Sequence, residues 1–329
     1  MASRIHAALA LAVLAAIVPV HADEALRRDA LARFGRIEPV SDAQRAAPDV
    51  DLSRALFWDV RISADGKTAC ASCHPAADWG SDRRRFSIDA RGKPTSRHSQ
   101  TVFNATGQPL LRWTGDRPTG AAQAEGSMTG SLGYASRDEA VAALAAAGYA
   151  VRFRSVYPGD AEPLSARNYG RAIEAYEASL RTPAPFDRFL AGDDNPLDAR
   201  QKAGLRLFVD TGCAGCHNGA LLGGASLQRF GVVRDYWLAT GSAAPADAGR
   251  YLATKQDEDR NVFRVAMLRN IARTAPYFHD GSVERLDQAV RVMADVQLGQ
   301  QLGDDKVAAI VTFLESLSGE VPPHYAPPH

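Results

Sequence analysis

Two short runs hold all four cysteines of the chain: Cys70-Ala-Ser-Cys73-His74 and Cys213-Ala-Gly-Cys216-His217. Cysteines spaced this way serve a dithiol redox couple, half of a zinc site, or the attachment of a haem through two thioethers. The histidine that follows each pair separates these chemistries. Neither zinc nor a dithiol couple needs imidazole at that position both times. A c-type haem needs two thiols for its vinyl groups and an adjacent imidazole for the proximal face of its iron. The spacing predicts two covalently bound haem c groups on Cys70, Cys73, Cys213 and Cys216, with His74 and His217 as iron ligands.

A closed haem and a reactive haem differ at the sixth iron position, where methionine fills the coordination and raises the potential while an open position admits peroxide or oxygen. Beyond the N-terminus the chain offers Met128, Met267 and Met293. Met293 follows His217 by 76 residues and shares a helical stripe with Leu286 and Val290. Spacing alone leaves it either an iron ligand or a core side chain.

The elements that must position these groups read as mainly α, with few period-2 runs. Asp51 can cap a helix through Leu52, Ala55, Leu56 and Phe57 that ends near Ser63-Ala-Asp65-Gly66, just before the first motif. Asp198 with Gln201 forms a capping arrangement before Leu205, Leu207 and Phe208, just ahead of the second. Further helices are expected from Ser136 and Glu139, over 165–180, over 284–296 and over 304–317, the last with Gly319 as its C′ residue. Prolines in Arg181-Thr-Pro-Ala-Pro185 stop the 165–180 helix there and mark a domain boundary. Two cytochrome c-like haem domains, 23–185 and 186–329, with long haem-enclosing loops are therefore expected. The Pro/Gly-rich stretch from Asp89 to Gly133 is too long for a mere connector, and the proline-rich tail reads as loose.

A chain of 329 residues, 46% hydrophobic, supports about two domains. Lys plus Arg and Asp plus Glu both number 38, so no basic field points to nucleic acid. Arg4 and His6 precede an uncharged run from Ala7 to Val20, and Val20-His21-Ala22 supplies small residues for cleavage after Ala22. That run is shorter than the roughly 20 residues needed to cross a bilayer. The reading is a signal peptide, residues 1–22, and a periplasmic mature protein.

Several stretches together resemble the bacterial di-haem cytochrome c peroxidase family, which includes a branch that matures methylamine dehydrogenase by oxidising tryptophans. They are the two haem motifs, Thr101-Val-Phe-Asn104, Trp113-Thr-Gly-Asp-Arg117, Phe186-Asp-Arg-Phe-Leu190, Leu268-Arg-Asn-Ile271 and Thr274-Ala-Pro-Tyr-Phe-His-Asp-Gly281. The resemblance implies that the His74 haem is the peroxide site and that the second haem, ligated by His217 and Met293, stores an electron. It implies Trp113 as an electron relay between the haems, compatible with a packed aromatic, and Gln123 as a distal residue that orients peroxide, the alternative being an exposed glutamine. It also implies a small cytochrome c or cupredoxin as donor, and a homodimer.

The chain departs from the family in three places. The usual distal glutamate has no counterpart in Gly130-Ser-Leu-Gly-Tyr134, which leaves Glu125 as a substitute or a plain surface residue. Ala90, after Phe86-Ser-Ile-Asp89, stands where many members carry a gating histidine, which implies an open first haem; His98 is the rival ligand. His98 also replaces an asparagine of the family's interdomain calcium site, where carbonyls of Thr274 and Pro276 would remain as ligands. His279 reads as structural or propionate-facing. The leading expectation is peroxide reduction. Its rivals are a di-haem oxidase that modifies a partner protein and a non-catalytic electron-transfer cytochrome.

Overall fold

Helices separate into two groups, each closed around its own apolar core, in a computed structural model that describes residues 23–240 and 247–328. The expected leader, 1–22, lies outside the described residues. In the first group, helices Pro48–Trp58, Gly120–Thr129, Arg137–Ala146, Ala150–Val156 and Ala166–Ala178 bury Leu52, Leu56, Met128, Leu144, Phe153 and Ile173. In the second, a helix over 23–34 joins Pro185–Leu190, Ala199–Asp210 and Asp304–Glu315 around Phe34, Phe186, Phe208, Ile310 and Phe313. A helix over Leu286–Leu298 flanks that core through Leu286 and Val290. The chain thus enters on the second group before it builds the first.

Local signals set the helix starts. Asp198 Oδ1 accepts from Gln201 N at 2.8 Å while Gln201 Oε1 accepts from Asp198 N at 3.0 Å, a complete capping box. Ser136 accepts from Glu139 N, but the Glu139 carboxylate reaches back one residue further, to Ala135 N at 2.9 Å. The helix before the first motif starts at Pro48 rather than at Asp51, because proline at the first position has the helical φ and no amide to satisfy. At Gly204 a Cβ would lie 2.0 Å from the Ala309 carbonyl, so only glycine lets these two helices cross.

The tail expected to be loose is docked. Tyr325 is 2% exposed, packs edge-on against Phe57, Trp58 and Phe103, and donates its hydroxyl to the His74 carbonyl. Arg54 holds the Ala326 and Pro327 carbonyls at 2.8 and 2.9 Å. Aromatic burial outweighs the proline content here. Gly319 is not a helix C′ residue either: the helix ends at Glu315, and Gly319 N donates to Asn270 Oδ1 at 3.0 Å.

Thr182 joins the two groups. Its hydroxyl accepts from Asn104 Nδ2 at 2.7 Å and from Asn270 Nδ2 at 2.9 Å, and its amide donates to Asn104 Oδ1 at 2.9 Å. All three residues are buried, and both asparagines hold the left-handed conformation that their side chains tolerate. Thr182→Val strands two buried amides and should lower stability by about 2–4 kcal/mol. Thermal unfolding of the holoprotein measures this; an unchanged midpoint would show the clasp to be dispensable.

Candidate functional site

The first motif is a single helical turn, Cys70–Cys73, after which His74 N closes back on the Cys70 carbonyl at 3.1 Å. His74 Nδ1 lies 2.9 Å from the Gly80 carbonyl. Donation there leaves the Nε2 lone pair free to ligate a metal. The second motif repeats this arrangement: His217 N closes on Cys213 O at 3.0 Å, and Nδ1 faces the Leu222 carbonyl at 3.1 Å. Burial holds both imidazoles below their usual pKa, which favours the neutral form that binds iron. None of the four cysteines is in a disulfide, and burial pushes the Cys70 thiol up to about 12.

Each motif opens into its own cavity. The first, with about 2030 Å³ of atom-free space including its mouth, is lined by Cys70, Cys73, His74 and Gln123. Arg91, Arg97, Arg112 and Arg117 also line it, each paired with a carboxylate: Arg91 with Asp89, Arg97 with Asp247, and Arg112 and Arg117 with Asp116. Gln123 sits on the Gly120–Thr129 helix, whose first turn is fixed by Thr119 Oγ1 accepting from Ala122 N and by Glu174 Oε1 accepting from Gly120 N at 2.7 Å. The second cavity, about 1540 Å³, is walled largely by apolar side chains around Cys213, Cys216 and His217. Met293 lines it from the same helix face as Leu286, Ala289 and Val290. Met267 reaches it too, whereas Met128 is buried in the first helical core. Free paired thiols, presented imidazole nitrogens and roomy, partly apolar walls fit a haem at both places.

Trp113 lines both cavities. Its indole N–H donates to the His98 carbonyl at 2.8 Å, and its own carbonyl accepts from Arg264 N at 2.7 Å. Arg264, a residue the sequence did not single out, lies in a two-stranded ribbon that pairs Leu227–Arg229 with Val262–Arg264. It is 3% exposed and donates to Gln108, to Gln100 at 2.7 Å and to the Arg112 carbonyl at 2.8 Å. Burial pulls its pKa down to about 10, and it lines both cavities.

Ala90 and Gly133 lie beside the first cavity, not among the residues that line it, and are packed against one another. Ala90 N donates to Ser131 O at 2.9 Å, and a Cβ on Gly133, at φ +87°, would lie 3.0 Å from the Ala90 Cβ. The small residue at 90 and the glycine at 133 therefore fit one another. Glu125 pairs with Arg137 at 3.3 Å and is not among the residues that line the cavity. Glu177 does line it, although sequence reasoning passed it over. Burial, with Glu174 adding repulsion, raises its carboxyl to about 8, and it has no hydrogen-bond partner among the described residues. Its only sequence signal was an acid on the inward side of the Ala166–Ala178 helix.

His98 borders both cavities, with Nδ1 on the Arg84 carbonyl at 3.2 Å. His279 is 2% exposed and stacks on Phe263 at 4.2 Å. Thr274 and Pro276 line the second cavity, and the described residues contain no cluster of three or more His, Cys, Asp or Glu side chains suited to a metal ion. No helix among the described residues is long and apolar enough to cross a membrane.

Fold and site together define a helical protein with two c-type haem pockets that share one tryptophan wall. The chain belongs to the di-haem cytochrome c peroxidase family, whose model matches residues 47–195. It is 42% identical to cytochrome c551 peroxidase of Pseudomonas aeruginosa over 87% of this chain and 82% of that one. It is 40% identical to the cytochrome c peroxidase of Escherichia coli over 86% of this chain, spanning 60% of that longer protein. A crystal structure of a MauG-like protein associated with microbial copper homeostasis superposes with a TM-score of 0.74 at 25% identity, covering 89% of this chain and 96% of that one. The protein is thus an oxidoreductase of the cytochrome c peroxidase type, with two haem c groups.

Gly133→Ala should destabilise the first domain by about 1–2 kcal/mol, through its left-handed φ and the contact with Ala90. Adding Ala90→Gly should recover only the steric part. Chemical denaturation of the three variants tests this; full recovery would mean that the backbone conformation costs nothing.

Proposed function

We propose that the mature protein reduces hydrogen peroxide to water in the periplasm, drawing electrons from a small reduced cytochrome c or cupredoxin. One observation carries the reading: Trp113 lines both cavities, while Gln123 lines only the first and Met293 only the second. The two centres are equipped unequally and joined. Haem bound at His74 supplies the iron where peroxide is reduced, and haem bound by His217 and Met293 supplies the stored electron. The reading includes a domain division at residues 185 and 186, crossed by the 23–34 helix packed on the second core and by the tail docked on the first, a homodimer, and a calcium ion on carbonyls of Thr274 and Pro276.

The side chains divide the remaining work. The Gln123 amide donates a hydrogen bond to bound peroxide and orients it. Trp113 keeps its ring fixed between the cavities by its bond to the His98 carbonyl. Overall, peroxide takes two electrons and two protons and leaves as two waters, so the cavity needs a proton source. Glu177 fills that role: with its carboxyl raised to about 8, it holds a proton at neutral pH and releases it inside the cavity. Ala90 offers no imidazole to block the iron, so no gate has to open.

A second reading, a di-haem oxidase that modifies a partner protein, is favoured by the absence of any carboxylate in Gly130–Tyr134. Turnover with a reduced small cytochrome c separates the two. The peroxidase should consume peroxide rapidly with that donor, and the as-isolated and half-reduced forms should react alike. Strict dependence on prior reduction would overturn the ungated site, and negligible turnover with the donor would favour the oxidase.

Glu177→Gln should lower peroxide turnover by about 10²-fold. Because the folded carboxyl titrates near 8, activity of the parent protein should fall as pH rises through that value. The variant should lose that limb of the profile. An unchanged pH profile would place the proton source elsewhere.

A further inference from the structure

Beyond the tryptophan wall, aromatic rings continue outward without a break. Trp113 meets His279 edge-on with ring centres 6.3 Å apart, and His279 meets Trp237 at 5.1 Å. Trp237 in turn meets Tyr236 at 4.6 Å. Trp237 is 8% exposed and Tyr236 1%, so the series runs from the haem cavities to a buried phenol. Its terminal phenol is specially placed. The Tyr236 hydroxyl lies 3.1 Å from an Asp280 carboxylate oxygen and 2.6 Å from Ser282 Oγ.

We propose that Trp113, Trp237 and Tyr236 form a side path for electrons, with Tyr236 as its redox-active end and Asp280 as the proton acceptor. The inference rests on the peroxidase reading, because peroxide is the oxidant. When no donor protein is present, Tyr236 gives up one electron, which passes through Trp237 and Trp113 toward the first cavity. Its phenolic proton moves to the Asp280 carboxylate, leaving a neutral tyrosyl radical. Peroxide takes this electron with the stored one and, with two protons, becomes two waters.

Three features favour a path over simple packing. Oxidation of a phenol near neutral pH requires loss of its proton, and a carboxylate within hydrogen-bond range supplies the base. Indole rings stand on both sides of His279, so no step has to cross saturated side chain. His279 is neutral, since burial lowers its pKa to about 4, and places no positive charge between the indoles to oppose a migrating hole. Its Nε2 has no hydrogen-bond partner.

The experiment mixes the haem-loaded protein, half-reduced so that the second haem holds one electron, with peroxide and no further donor, then records freeze-quenched electron paramagnetic resonance and maps oxidised peptides by mass spectrometry. A tyrosyl signal and oxygen-addition products at Tyr236 and Trp237 are expected. Tyr236→Phe should abolish the signal, and Trp237→Phe should diminish it. Asp280→Asn should also diminish it, while all three variants keep the parent rate of peroxide turnover with reduced cytochrome c. An undiminished signal in Tyr236→Phe, or no radical in a parent protein that turns over peroxide, overturns the path alone. A parent protein that consumes no peroxide even with the donor overturns the peroxidase reading as well.

Discussion

The arrangement of the whole molecule depends on one buried hydroxyl. Thr182 sits in the connection between the helical groups and serves both asparagines with a single oxygen. Each asparagine begins a short 3-10 turn, Ala105–Gly107 in one half and Ile271–Arg273 in the other. Each also accepts a backbone amide, Thr182 N at Asn104 and Gly319 N at Asn270. A fully satisfied polar cluster in a low-dielectric interior is rigid, because displacing any member strands the others. The segment leading away from Asn104 carries Trp113; the segments flanking Asn270 carry Arg264, Met267 and His279. Both walls between the cavities therefore hang from the same oxygen.

That geometry explains what could be read from sequence. The haem motifs are local, since thiols and imidazole must lie within one turn of chain, and the Asp198 and Ser136 caps are local too. Non-local features were hidden. Tyr325 belongs to a proline-rich tail whose docking site is made by Phe57 and Phe103, hundreds of residues away. The 23–34 helix packs on Phe186 and Phe208, which no pattern near residue 30 announces. Arg264 looked like an ordinary charge until the fold surrounded it with Gln100, Gln108 and the Arg112 carbonyl. Met267 and Met293 both reach the second cavity, so spacing ranked them but geometry does not remove either from its wall.

The cavities differ in their physical character as well as in their residues. Arginines and polar groups border the first, so charge on a bound group or a substrate is screened and hydrogen-bonded there. Apolar walls enclose the second. Removing water from around a redox centre raises the cost of its more highly charged state. A pocket of this kind favours holding an electron, whereas the first favours handling small polar molecules and protons.

Ala90 and the Gly130–Tyr134 turn are packed as one unit, joined by the bond from Ala90 N to Ser131 O. Any side chain at 133 would press on Ala90 while strained in its own backbone. The turn lines the first cavity through Gly130, Ser131 and Leu132 and brings no carboxylate to it. Two carboxyls line the cavity from other walls: Asp89 is ion-paired with Arg91 at 3.5 Å, whereas burial raises Glu177, on the helix that packs across Gly120–Thr129, to about 8 and leaves it the acid of the pair.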